Sequence, residues 1–155
     1  AERWIWLQAA GFSEDPGDYL DVALGRIKVG PMTSPWIANG RLVLAGEAHR
    51  IGGLEHAYGT EIEETPTECE FTLPGKGINV KGKATAPLKD VVGWAYADPA
   101  GPGHNALNCS VADIELRVER PGFRHAKLNA EGKAVYELGM RENNHGIELQ
   151  PYPDG

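Results

Sequence analysis

Glu47 and His49 are the pair in this sequence best suited to acid–base chemistry. They sit two residues apart in RLVLAGEAHRI (41–51), so in a strand they share a face. Val43, Ala45 and Ile51 fall on that face. If it is the inner face of a sheet, a carboxyl and an imidazole lie in an apolar wall. Burial then raises the carboxyl pKa and lowers that of the imidazole, and one of them can serve as proton donor. The other register turns Leu42, Leu44 and Ala48 inward and leaves both groups in water. Periodicity alone barely separates the two.

Trp4, Trp6 and Gln8 share a face in RWIWLQAA (3–10). They can be plain core packing. They can also line a pocket, where indole faces stabilise a developing cation and the Gln8 amide orients a polar group. Asn108 and Ser110 alternate in phase with Ala112, Ile114, Leu116 and Val118. If Ile114 points inward, both polar groups face the interior near its mouth and can fix a ligand. A bulge would instead point Cys109 inward, with Asn108 and Ser110 bonded to nearby backbone. His104 lies in a Gly- and Pro-rich loop (97–106) of the kind that lids a barrel mouth. Tyr58, Trp94 and Tyr96 are pocket-wall candidates that serve equally well as core.

Stronger motifs are missing. The sequence contains no P-loop, dinucleotide fingerprint, HExxH or nucleophile elbow. The five histidines (His49, His56, His104, His125 and His145) do not pair at metal-ligand spacings, and Cys69 and Cys109 lie far apart. No metal and no organic cofactor is expected. The acidic run 61–64 reads as a solvated strand face.

The elements that must carry these residues are strands. Short alternating segments are separated by turn residues, drawn from 20 glycines and 11 prolines without a periodic repeat. TECEFTL (67–73) puts Thr67, Cys69, Phe71 and Leu73 on one face. LNCSVADIELRVER (107–120) puts Ile114, Leu116 and Val118 on one face and Glu115, Arg117 and Glu119 on the other. Turns are expected at Asn39-Gly40, Gly52-Gly53, 74–77, Pro121-Gly122 and Glu131-Gly132. KDVVGWAY (89–96) suits a short helix or a strand. About eight to ten strands at this spacing predict one all-β domain over 1–155, closed to remove its edges. An eight-stranded barrel is about large enough to hold one small ligand.

Fifteen basic against 22 acidic residues leave a net charge of −7. The basic residues are scattered along the chain, which argues against nucleic acid and anionic membranes as partners. No run is long and apolar enough for a membrane-spanning helix. The start of the chain lacks a signal-peptide pattern and falls directly on a strand, as in a piece of a longer protein. Two cysteines make no framework. Free buried thiols fit a reducing cytoplasm.

Three stretches carry a family resemblance: WIWLQ at the start, RLVLAGEAHRIGG (41–53), and WAYADPAGPGHNALNCSVAD (94–113) running into IELRVER. In this order they resemble the C-terminal half of tocopherol cyclase-like proteins. That group includes carotenoid 1,2-hydratases and Diels–Alderase-type cyclases. The tract from Asn108 to Asp113 is the most specific part. The resemblance implies an antiparallel, lipocalin-like (calycin-type) β-barrel. It also implies a cofactor-independent cyclase, isomerase or hydratase acting on a hydrophobic isoprenoid- or polyketide-like substrate held in the barrel pocket, by acid-initiated or pericyclic ring closure. Family members carry two barrels and this chain has room for one, so a homodimer or an N-terminal barrel would complete it. Two other functions fit the same sequence: a non-catalytic binder of a hydrophobic small molecule, and an accessory half of a two-barrel protein.

Overall fold

A computed structural model describes residues 2–96, 104–140 and 146–151, with the side chains of Tyr96 and Pro151 left out. The chain forms an all-β, antiparallel, lipocalin-like barrel. Eight strands close it: β1 (Arg3–Ala10), β2 (Tyr19–Arg26), β5 (Ile37–Leu44), β6 (Glu47–Gly52), β8 (Glu68–Gly75), β9 (Ile78–Thr85), β11 (His104–Glu119) and β12 (Ala126–Met140). They pair in that order, and β12 returns to β1. A small hairpin, β3 (Lys28–Val29) with β4 (Met32–Thr33), stands apart from the barrel sheet. A 3-10 turn (Leu54–Gly59) leads into β7 (Glu61–Thr65), which pairs with the first half of β8. A second 3-10 turn (Leu88–Asp90) precedes β10 (Val92–Tyr96), so KDVVGWAY is mainly strand. β10 pairs with the start of β11 and, in parallel, with β13 (Leu149–Pro151). No helix among the described residues is long and apolar enough to cross a membrane.

Strand alternation gives the barrel one apolar face. Ile5, Leu7 and Ala9 of β1, Leu20, Val22 and Leu24 of β2, and Cys69, Phe71 and Leu73 of β8 are buried in one cluster with Ile114, Leu116 and Val118 of β11. The expected faces of 67–73 and 114–119 are therefore those observed.

Two expected turns are not turns. Asn39 and Gly40 lie inside β5, where Gly40 lets β2 approach: a Cβ there would come 2.1 Å from the Asp21 carbonyl oxygen. Glu131 and Gly132 lie inside β12, where three residues of β11 (Ala112 to Ile114) face five of β12 (Ala134 to Ala130), a bulge rather than a chain reversal. The reversal missed in the sequence is Ala45-Gly46. Both residues have positive φ (49° and 81°), as a two-residue hairpin with the twist of its strands requires. The Asp18 carboxylate, on a residue 5% exposed, accepts the Ala45 N–H at 2.9 Å and holds this turn.

Where β6 and β8 meet, the seam is a single paired position, Ile51 with Gly75. Side chains fasten the neighbouring strand instead. Arg3 of β1 forms an ion pair at 2.5 Å with Glu64 of β7, both side chains under 15% exposed. The Tyr136 hydroxyl donates to the Thr65 carbonyl at 2.7 Å. Burial pushes the Tyr136 phenol pKa up, reinforced by Cys69 and Glu64. Burial likewise pushes the Cys69 thiol up to about 12, with Glu64 and Glu70 adding to it.

Both groups keep their protons in the folded chain at pH values where the unfolded chain releases them. Unfolding then releases protons, and stability falls as pH rises. The fall starts near the ordinary thiol value of 9.0 and runs toward about 12. Urea midpoints measured from about pH 7 to about pH 11 should show this decline. Tyr136→Phe should flatten it while costing about 1 kcal/mol at neutral pH for the lost hydrogen bond. Equal slopes in parent and variant would contradict the assignment.

Candidate functional site

Most of the sequence-selected residues converge, but outside the barrel. With Ile5, Leu7 and Ala9 inward, Trp4, Trp6 and Gln8 point outward; Trp6 is 39% exposed. Across β10, β11, β12 and β1 the register sets two outer rows. One runs Trp94–Ala106–Gly139–Trp4, the other Val92–Asn108–Glu137–Trp6. The two small residues of the first row, Ala106 and Gly139, are both buried beneath their neighbours. Gly139 is essential to this: a Cβ would fall 1.8 Å from Trp4 Cε2, so the indole lies directly over the backbone of β12.

Glu137 sits half-buried at the centre. Its Oε2 accepts the Trp4 indole N–H at 3.4 Å, and its Oε1 accepts the Asn108 amide at 3.4 Å. Ser110 Oγ donates to Asn108 Oδ1 at 2.8 Å and fixes which way that amide faces. The His104 ring meets Trp4 edge-on, with centroids 5.2 Å apart and planes at 62°. The Trp6 indole N–H donates to Asp21 at 3.1 Å. Both hydrogen bonds to Glu137 are long, so its oxygens can accept a better donor from a ligand.

The bulge alternative for 108–113 is the observed one. Four residues of β11 (Cys109 to Ala112) face three of β12 (Tyr136 to Ala134). The odd residue reverses the phase, so Cys109 is buried at 1% while Asn108 and Ser110 face outward. The two polar groups bond each other and Glu137 rather than backbone. Glu137 itself escaped the sequence reading. VYELGM marks Tyr136 and Leu138 as inward, but nothing short of the pairing register puts Glu137 between Trp6 and Asn108.

Glu47 and His49 fall on one side of β6, in phase with buried Ile51, for a reason unlike the one expected. The turn at Ala45-Gly46 pairs Leu44 with Glu47 and Leu42 with His49, so Leu42, Leu44 and His49 all face inward together. His49 is half-buried, and its Nε2 has no hydrogen-bond partner among the described residues. Glu47 is exposed beside the turn, so the pair forms no buried acid–base couple. Tyr58 is 94% exposed on the 3-10 turn. Tyr96 is placed in β10 by its backbone, and its side chain lies outside the described residues, as do His145 and residues 97–103. Cys69 and Cys109 are free and buried. Among the described residues no three His, Cys, Asp or Glu side chains gather as a metal site.

A separate concave region of about 1020 Å³ is lined by Trp36, Arg26 and Tyr58 at one end and by residues of β7, β8, β9, β11 and β12 along its length. The Arg26 guanidinium lies over the Trp36 ring at 5.1 Å. Its charged lining, including Glu70, Lys83 and Glu115, alternates along the strands with Phe71 and Leu116, which also border the region. Of the residues selected from the sequence it takes in Tyr58 alone.

Gly139→Ala should displace the Trp4 indole and break its bond to Glu137. The expected result is a changed near-ultraviolet circular dichroism and tryptophan emission, with an intact barrel spectrum in the far ultraviolet and a stability loss of about 1–3 kcal/mol. Unchanged near-ultraviolet signals would mean that the indole does not rest on Gly139. Compared with protein-family models, curated proteins and solved structures, the chain matches none.

Proposed function

We propose that the chain is a cofactor-independent enzyme of the cyclase, isomerase or hydratase kind. It acts on a hydrophobic, isoprenoid- or polyketide-like substrate laid on the outer face around Glu137. One observation carries this reading: a half-buried carboxyl group held between two indoles by long hydrogen bonds from Trp4 and Asn108. As a carboxylic acid, Glu137 delivers a proton to an alkene; as a carboxylate, it takes one from a hydroxyl. The faces of Trp4 and Trp6 stabilise positive charge that develops between them. In a pericyclic closure the same rings fold the substrate into its reactive shape, and no acid is needed. The resemblance to tocopherol cyclase-like proteins supports the same substrate class.

A second reading is favoured by the exposure of Trp6 and Val92, at 39% and 43%, in one outer row. Here the face binds a hydrophobic small molecule without chemistry, or is covered by a second copy or a second barrel.

The test is mass spectrometry of prenylated phenols and polyenes incubated with the chain, alongside ligand quenching of tryptophan fluorescence. Glu137→Gln should retain quenching and lower turnover about a hundredfold or more. Trp4→Ala should weaken binding. Quenching without product from the parent supports the second reading. Equal turnover in parent and Glu137→Gln removes Glu137 from the chemistry.

A further inference from the structure

Basic residues that are scattered in sequence are gathered by the fold. The register places Lys81 of β9, Arg117 of β11 and Lys127 of β12 side by side in one cross-strand row on the solvent face. Like charges directly opposite each other destabilise a sheet. The adjacent row on the same strands avoids this: Glu70, Lys83, Glu115 and Asn129 stand in sequence, and Lys83 bridges Glu68 at 2.7 Å and Glu70 at 4.0 Å. A chain with an excess of seven acidic residues has no shortage of anions to interleave. Yet Lys81 alone of the three meets a carboxylate, Glu119 at 3.5 Å. The Arg117 guanidinium meets His125 Nδ1 at 3.3 Å. Among the described residues neither Arg117 nor Lys127 has a carboxylate partner.

We propose that this row is an anion site for a compact phosphate-type group, diphosphate in size. Neighbouring strands stand about 4.8 Å apart, so three adjacent cations span about 10 Å, enough to receive the oxygens of two linked phosphoryl groups. The Arg117 fork supplies paired donors and the lysines supply point charges. Thr72, next in the row beyond Lys81, adds a hydroxyl. All four line the concave region of about 1020 Å³. Glu61, Glu115 and Glu119 flank the row. They repel an extended polyanion such as nucleic acid, while a short one still fits between the three cations. The site is independent of the chemistry proposed at Glu137.

Calorimetric titration of the full chain with inorganic pyrophosphate tests the site, with inorganic phosphate and single-stranded DNA as comparisons. Saturable binding of pyrophosphate is expected, stronger than phosphate and weaker at high salt. Arg117→Gln and Lys127→Gln should each reduce affinity about tenfold, and Lys89→Gln, on the exposed 3-10 turn, should not. Pyrophosphate should raise the melting temperature of the parent and not of the Arg117→Gln, Lys127→Gln double variant. Without ligand, that double variant should be as stable as the parent or more so, because a repulsive row has been relieved. Absence of saturable binding, stronger binding of DNA, or equal weakening by Lys89→Gln overturns the proposal. A double variant that is less stable without ligand makes the row structural and also overturns it.

Discussion

Between Cys109 and Ile114 the ladder joining β11 to β12 breaks twice, first with an extra residue in β11 and then with two extra in β12. Both the closure of the barrel and the composition of its outer face depend on this. An odd insertion reverses which residues point inward; an even one leaves the phase unchanged. β11 therefore buries Leu107 and Cys109 before the break and Ala112, Ile114, Leu116 and Val118 after it, while β12 buries alternate residues from Leu128 to Met140 around its bulge. The break also lets one strand serve two neighbours. Its first part pairs with β10 and its second with β9. Without it, Asn108 and Ser110 would be forced into the apolar cluster, where each would need partners that the interior lacks.

Closure leaves one weak seam, and the way it is secured explains the polar groups near it. A single paired position joins β6 to β8, so backbone bonding there is minimal. The Arg3–Glu64 ion pair and the Tyr136–Thr65 bond tie β7 to β1 and β12 instead. A pair this sheltered gains little over apolar packing, and losing one partner strands a charge at a cost of about 3–5 kcal/mol. Its effect is to specify where β7 sits. The same shelter accounts for the raised Tyr136 and Cys69 pKa values, since both groups stay neutral beside Glu64.

Alternation made much of this fold legible in the sequence wherever a strand ran without interruption. Cys69, Phe71 and Leu73, and Ile114, Leu116 and Val118, face as their spacing indicates. The reading failed where a local backbone event changed the phase. At Ala45-Gly46 a hairpin without an Asn-Gly signal depends on Asp18, 27 residues earlier, to bond the Ala45 N–H. The pairing across that hairpin brings His49 and Leu42 to one face. At Gly40 a glycine resembling a turn residue serves close strand approach instead. The outer site was half legible. Residue type singled out Trp4, Trp6, Asn108 and Ser110, but their common partner Glu137 is adjacent to them only through the β1–β12–β11 register.

An interior packed with side chains such as Leu7, Leu42, Leu73 and Tyr136 stabilises this barrel by excluding water, and specificity for a ligand has to come from elsewhere. The outer wall offers two surfaces that stability alone does not explain. Around Glu137, large aromatic groups stand on Gly139 and Ala106, where smaller polar residues would cover the sheet at less cost in exposed apolar area. Along Lys81, Arg117 and Lys127, like charges sit in neighbouring positions although the next row shows that the same strands can hold alternating ones. Both surfaces are borne by β11 and β12, one on each side of the break. A strand pair that changes phase midway can thus present an aromatic, carboxyl-bearing face at one end and a cationic face at the other, with a single continuous core behind both.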